Sequence, residues 1–295
     1  MSEYNMYFPN IQAPEIPDSA YIYPKGLCVG IPPQNIQDPY VALSQLAPNR
    51  TNNSTIVSAA GVTPEQKARA EYEADRLALP YFNWGAGNYT SNISGYMPMV
   101  YADSEKEITN VPQHKVWLLI NEPDIGGQAN QTPDDTKAQI NYAISVGIKK
   151  WIGPNVAFVS DKWGYNWLQR YLQLNGPIPN RWGIHIYPTG FSDELDAFDY
   201  EYEQLYELLV RFNSLRPIVI TETNAGESDP EKQVRYMQGV MERIEVYEEL
   251  EAAFWFSAYY SRMMNNNKFI YHSNLLDEQY KRNYIGDAFR EIVDK

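Results

Sequence analysis

Short apolar runs alternate along this chain with longer stretches whose apolar residues recur three and four positions apart. The first pattern reads as buried strands and the second as amphipathic helices. Strands are predicted at 27–31, 81–84, 95–101, 116–122, 150–154, 182–187, 217–222 and 252–257. Local chemistry marks three helix starts. Thr63-Pro-Glu-Gln66 and Ser228-Asp-Pro-Glu231 read as capping boxes, and Thr132-Pro-Asp-Asp as a cap, opening helices that run to about residues 79, 250 and 147 respectively. Further helices are expected at 164–175, 193–213 and 276–295, the first on the apolar stripe Trp167, Leu168, Tyr171 and Leu172. Strands that mostly alternate with helices predict an α/β fold, a single (β/α)8 barrel with right-handed crossovers. The barrel is expected to occupy residues 26–295, with residues 1–25, rich in Pro and Tyr and without a period, as an irregular arm packed on it.

The fourth run, Val-Trp-Leu-Leu-Ile, breaks off at Asn121-Glu122-Pro123, so a buried strand delivers an amide and a carboxylate at its C-terminal end. Pro217-Ile-Val-Ile-Thr-Glu222 repeats that shape a hundred residues later. In a barrel every strand ends at one mouth, where the chemistry sits, so Glu122 and Glu222 are predicted to converge. Glycoside cleavage needs such a pair: one carboxyl holds a proton for the leaving oxygen while the other, ionised, attacks the anomeric carbon. His185 and Tyr187, two apart on the sixth strand and so on one face, are candidates to hold Glu222 ionised. Asn121 is placed to bond a sugar hydroxyl. Trp84, with Asn83 beside it, and Trp255 offer flat faces on which sugar rings stack. Asn155 and Tyr259 fall near the same mouth without an assigned role.

Composition narrows the ligand. A formal charge of −13 and a pI near 4.7 disfavour nucleic acid and anionic membranes, both of which need a basic patch. An uncharged oligo- or polysaccharide fits better, and the 14% aromatic content can furnish its groove. No apolar run approaches the roughly 18 residues of a membrane span. The single Cys28 excludes an intramolecular disulfide and a cysteine zinc cage, and reads as core. His114, His185 and His272 are scattered, without a metal-binding spacing, so neither a metal nor another cofactor is expected. The N-terminal residues show no secretory signal; extracellular action is an expectation from the substrate class alone. A monomer is expected. Sequon matches at Asn49, Asn88 and Asn130 are of a kind that arises by chance and carry no weight.

Taken together, Tyr81-Phe-Asn-Trp84, Tyr96-Met-Pro-Met-Val-Tyr101, Asn121-Glu122-Pro123, Gly183-Ile-His-Ile-Tyr187, the Thr221-Glu222 strand end and Trp255 resemble the clan A glycoside hydrolases. Within that clan the chain is most similar to the glycosyl hydrolase catalytic core group that includes the family 128 endo-β-1,3-glucanases. The resemblance covers roughly residues 80–260. It implies a retaining mechanism on a β-linked glucan, with Glu122 as acid/base and Glu222 as nucleophile. Asn121, His185, Tyr187 and Trp255 would then take the family's supporting positions. Thr223-Asn224 follows Glu222 where an aromatic or small apolar residue is implied.

Plainer readings compete with these. A glutamate at a strand end is often solvated, and a histidine in an apolar run is often a core residue bonded to backbone. Trp117, Trp167 and Trp182 read as packing, and Glu245, Glu248, Glu249 and Glu251 as solvated faces. The alternative function is a glycan-binding barrel without turnover, part of a larger, even viral, assembly. A pair of glutamates favours the enzyme.

Overall fold

A computed structural model describes residues 26–30, 45–46, 79–85, 95–108, 115–160, 162–188, 193–259 and 272–294. The expected arm at 1–25, the helix expected from Thr63 and His114 lie outside the described residues. The strands are β1 Gly26–Gly30, β2 Tyr81–Phe82, β3 Met99–Val100, β4 Trp117–Leu119, β5 Trp151–Ile152, β6 Trp182–Ile186, β7 Ile218–Thr223 and β8 Leu250–Trp255. The helices are α1 Ser104–Glu107, α2 Pro133–Ser145, α3 Lys162–Gln173, α4 Glu194–Arg211, α5 Pro230–Val246 and α6 Tyr284–Val293.

The strands form two sheets, in the orders β2-β1-β8-β7-β6 and β3-β4-β5, and every pairing within them is parallel. Parallel bridges join the sheets at both junctions, Tyr81 with Tyr96 on one side and Ile152 with Arg181 and Val156 with Ile184 on the other. The C-terminal ends of all the strands therefore lie along one edge. This is an α/β fold in which helices alternate with strands from β3 onward.

Apolar residues in β4 alternate between two cores, as the pleat requires. Leu118 joins a cluster drawn from strands and their flanks alone, with Cys28, Phe82, Met99, Val219 and Phe254. Trp117 and Leu119 join the larger cluster packed beneath the helices. Cys28 and the tryptophans 117 and 182 are core, as expected, and burial pushes the Cys28 thiol up, so it is unreactive. Trp167 packs half-buried against the larger cluster.

Several expectations are corrected. Strands β2, β3 and β5 hold two residues each, because an apolar run reports burial and not ladder length. Asp229, not Ser228, caps α5, accepting from the Glu231 N–H at 2.9 Å with Pro230 as the first helical residue. That helix stops at Val246, and α6 begins only at Tyr284, capped by Asn283. The short α1, capped by Asp103, was not expected. Glu251 is not solvated: its side chain is 12% exposed and pairs with Arg181 at the start of β6, at the edge opposite the C-terminal strand ends. Thr132 caps α2 as expected, at 3.1 Å from the Asp135 N–H.

Candidate active site

At the end of β4 the backbone takes an unusual path. Ile120 and Glu122 have φ of 65° and 43°, a region that a β-branched residue in particular avoids. Such conformations persist only where surrounding bonds enforce them. Here Ile120 N–H donates to Val100 O at 2.8 Å, Asn121 N–H to Tyr101 O at 2.9 Å and Glu122 N–H to Asn155 O at 2.8 Å. The reversal on each side of Asn121 turns both Asn121 and Glu122 toward the strand-end edge.

Asn155, left without a role by the sequence, is a fastening. Its buried amide donates to Leu119 O at 3.2 Å and Ile120 O at 2.8 Å and accepts from the Thr221 hydroxyl at 3.0 Å, next to Glu222. It ties the strand bearing one glutamate to the strand bearing the other. A Cβ on Gly183 would lie 2.1 Å from its Oδ1, so only glycine fits there. Asn155→Ala is expected to lower unfolding free energy by about 2–3 kcal/mol in urea titration, from the buried groups left unpaired.

On the other side, a register shift between Ile184 and His185 brings His185 opposite Glu222. The Thr221 and Thr223 hydroxyls donate to Ile184 O at 3.2 Å and Ile186 O at 2.8 Å, clamping β7 on β6 with Glu222 between them. Asn224, the departure from the family pattern, donates to Phe256 O at 3.0 Å and joins the ends of β7 and β8.

The two glutamates meet. His185 Nδ1 lies 2.8 Å from Glu122 Oε1 and 3.6 Å from Glu222 Oε2, and ligand atoms of the three residues lie within 4.8 Å of one another. Glu222 also accepts from the Trp84 indole N–H on Oε1 and from the Tyr187 hydroxyl on Oε2, both at 2.6 Å. Trp84 reaches it from a left-handed residue, φ 57°.

Electrostatics follow from burial and neighbours. Burial lowers the His185 pKa, but attraction to Glu222 and the hydrogen bond and charge of Glu122 outweigh it, so the net shift is upward. Burial raises Glu222, and repulsion from Glu122 adds to this; the charge of His185 and the donors Tyr187 and Trp84 oppose it, and the net shift is upward. Burial and the Glu222 charge hold the Tyr187 hydroxyl protonated, which keeps it a donor.

The remaining candidates divide. Asn121 is buried beside Glu122, hydrogen-bonded to the Tyr101 hydroxyl, and its Oδ1 has no hydrogen-bond partner among the described residues. Asn83 accepts from Tyr96 at 3.0 Å and supports the turn carrying Trp84. Trp255 is a correction: it is 0% exposed, its N–H on Ser273 O at 2.8 Å and its ring beside Tyr236, so it has no face for a sugar. Its neighbour Phe256 lies at the site instead, its ring centroid 5.2 Å from Trp84 and 6.3 Å from Tyr187. In the run Phe-Trp-Phe the pleat selects alternate aromatics, and the sequence does not say which. Tyr101 and Asp124, which accepts from Ala157 N–H at 2.9 Å, were likewise unassigned. Tyr259 is half-buried against Tyr280, at 5.2 Å between centroids.

Glu122, His185 and Glu222 are also the one group of three such ligands gathered among the described residues. Their atoms already serve one another and the donors Trp84 and Tyr187, an arrangement suited to holding and moving a proton.

Comparisons with known proteins agree with this fold. A solved family-128 (subgroup VI) exo-β-1,3-glucanase from Aureobasidium namibiae is similar, with a TM-score of 0.64 at 14% identity over 92% of this chain and 97% of that one. So is a subgroup II endo-β-1,3-glucanase from Sorangium cellulosum, at 0.56 and 20%, over 72% and 89%. A subgroup III curdlan-specific exo-β-1,3-glucanase from Blastomyces gilchristii gives 0.55 and 21%, over 72% and 88%. At these identities the likeness is one of fold. No curated protein matches the sequence. The sequence signature described as "Glycosyl hydrolase catalytic core" spans residues 61–289, most of the chain, which therefore belongs to that family of O-glycosyl hydrolases.

Proposed function

We propose that the protein is a retaining β-1,3-glucanase in which Glu122 is the acid/base and Glu222 the nucleophile, on one (β/α)8 barrel spanning residues 26–295. The observation that carries the reading is the approach of the two glutamates across His185, one oxygen of each lying within 4.8 Å of one of the other. Retaining enzymes keep their carboxyls about 5–5.5 Å apart, inverting ones about 6.5–9.5 Å to admit a water. Support for the barrel comes from the bridges at both sheet junctions and from a core made of strand residues and their flanks alone. The substrate rests on the similar structures, among them a family-128 endo-β-1,3-glucanase from Amycolatopsis mediterranei in complex with laminaritriose.

Trp84 and Tyr187 aim a hydrogen bond at each Glu222 oxygen, which favours the carboxylate that attacks. Glu222 forms a bond to the anomeric carbon while Glu122 gives its proton to the departing glycosidic oxygen. In the second half Glu122 takes a proton from water, which attacks the same carbon and releases Glu222. Asn121 is placed to bond a hydroxyl of the sugar at this carbon. His185, raised toward the imidazolium, stabilises whichever glutamate is charged at each stage.

Activity needs Glu222 ionised, and its pKa is raised, so the acid limb of kcat/KM against pH is expected above the ordinary carboxylate value of 4.5. Tyr187→Phe removes a donor that lowers that pKa, and should move the limb further up while reducing kcat about 10–100-fold. A limb moving down contradicts the assignment. The direct test of substrate is reducing-sugar release from β-1,3-glucan beside β-1,4-glucan, mannan and galactan; activity confined to another polymer would refute it.

A further inference from the structure

Trp163, the second residue of α3, is 79% exposed, more than any other large apolar side chain among the described residues. Single exposed apolar residues are ordinary, but the position of this one is not. Helix α3 follows the end of β5 and so starts near the strand-end edge that carries the glutamates. Trp163, Trp167 and Tyr171 stand four apart on one helical face. Trp167 stacks on Tyr171, centroids 5.8 Å apart and planes at 8°, and donates its indole N–H to Gln131 O at 2.8 Å. Gln131 ends the loop that begins at Glu122, its N–H bonded to Pro123 O at 2.9 Å. The aromatic face is therefore turned to that loop, and Trp163 lies one turn nearer the site. Gly164 shows how close: a Cβ there would meet Phe158 O at 1.6 Å and the Asp124 carboxylate at 3.0 Å, two residues past Glu122.

The loop between them carries two glycines. Gly126 and Gly127 are exposed, with nothing within 4 Å of where a Cβ would stand, and the next residue, Gln128, is held by the Tyr101 hydroxyl, which also meets Asn121. The loop from Glu122 to Gln131 thus carries two exposed glycines between the site and α3.

We propose that Trp163 is an outer sugar-binding platform, stacking on the C–H face of a pyranose in the same polysaccharide chain whose bond is cut at Glu122 and Glu222. This rests on the glucanase reading. A formal charge of −13 speaks for an uncharged chain as the occupant. The platform adds affinity for long substrates and nothing to the chemistry.

The test is Trp163→Ala, with Trp163→Phe beside it, on soluble long-chain β-1,3-glucan and on laminaritriose. For alanine the expected result is a KM raised about tenfold on the polymer, partly restored by phenylalanine, with kcat unchanged. On laminaritriose both variants should match wild type. An unchanged KM on the polymer, or an equal loss on both substrates, overturns the proposal. A wild type inactive on β-1,3-glucan counts against the substrate assignment instead. The platform is then read by acrylamide quenching of tryptophan fluorescence across the polysaccharide panel. At least one polymer should shield a fraction that Trp163→Ala lacks; shielding by none overturns it.

Discussion

Glu222→Ala should cut kcat on β-1,3-glucan by roughly 10⁴-fold or more, since removing a nucleophile disables the whole catalytic unit. Trp84 and Tyr187 would be left aiming donors at an empty position. Azide entering that space attacks the anomeric carbon from the nucleophile's side, so rescue should yield the α-glycosyl azide. Substrate binding should persist, because the proposed sugar contacts, Asn121 and Trp163, are elsewhere. A folding control comes from linkage. The pKa of Glu222 is raised in the folded protein, so its stabilising contribution is full below the ordinary 4.5 and is lost as pH rises through the folded value. Wild type should therefore lose stability relative to Glu222→Ala as pH climbs past 4.5 in thermal melts. A variant retaining more than a tenth of wild-type activity would end the nucleophile assignment. A protein that binds glycans equally well in both forms and cleaves none would favour the non-catalytic alternative.

Glu122→Ala has a different signature. Loss of the proton donor should lower kcat about 10²–10⁴-fold on glucan, where the leaving group is a sugar hydroxyl. On an aryl glycoside with an acidic phenol the first step needs no proton, so the loss should shrink and the glycosyl-enzyme accumulate as a burst. Azide then attacks that intermediate and gives the β-glycosyl azide, the opposite anomer from the Glu222 variant. His185 loses a hydrogen bond of 2.8 Å in this variant, keeps Glu222 as counter-charge, and should hold the site together. Equal losses on both leaving groups would contradict the acid/base role.

The strand ends were legible because they combine two strong signals, a fully apolar run and an abrupt polar stop. Glu122 and Glu222 carry that signal, His185 and Tyr187 carry the two-residue spacing of one strand face, and all four meet in the structure. What the sequence hid depends on pleat and register. Trp255 and Phe256 are adjacent aromatics on one strand end, and only the bulged pairing of β7 and β8 decides which ring turns to the core. Asn155 was unreadable for a different reason. Its role comes from carbonyls of β4 and a hydroxyl of β7, distant partners with no local trace in the sequence. Glu251 reads as solvated because nothing local shows that Arg181, just before β6, faces it. The positive φ at Ile120 and Glu122 was likewise invisible, since neither residue type announces it.

The proposed double displacement on Glu122 and Glu222 makes one demand on the product. Proton NMR of the first sugars released from β-1,3-glucan, recorded before mutarotation equilibrates them, reads the configuration at the new reducing end. A β-anomer appearing first is the result two successive displacements require. An α-anomer appearing first would mean a single displacement by water, and the account of these two carboxylates as acid/base and nucleophile would be wrong.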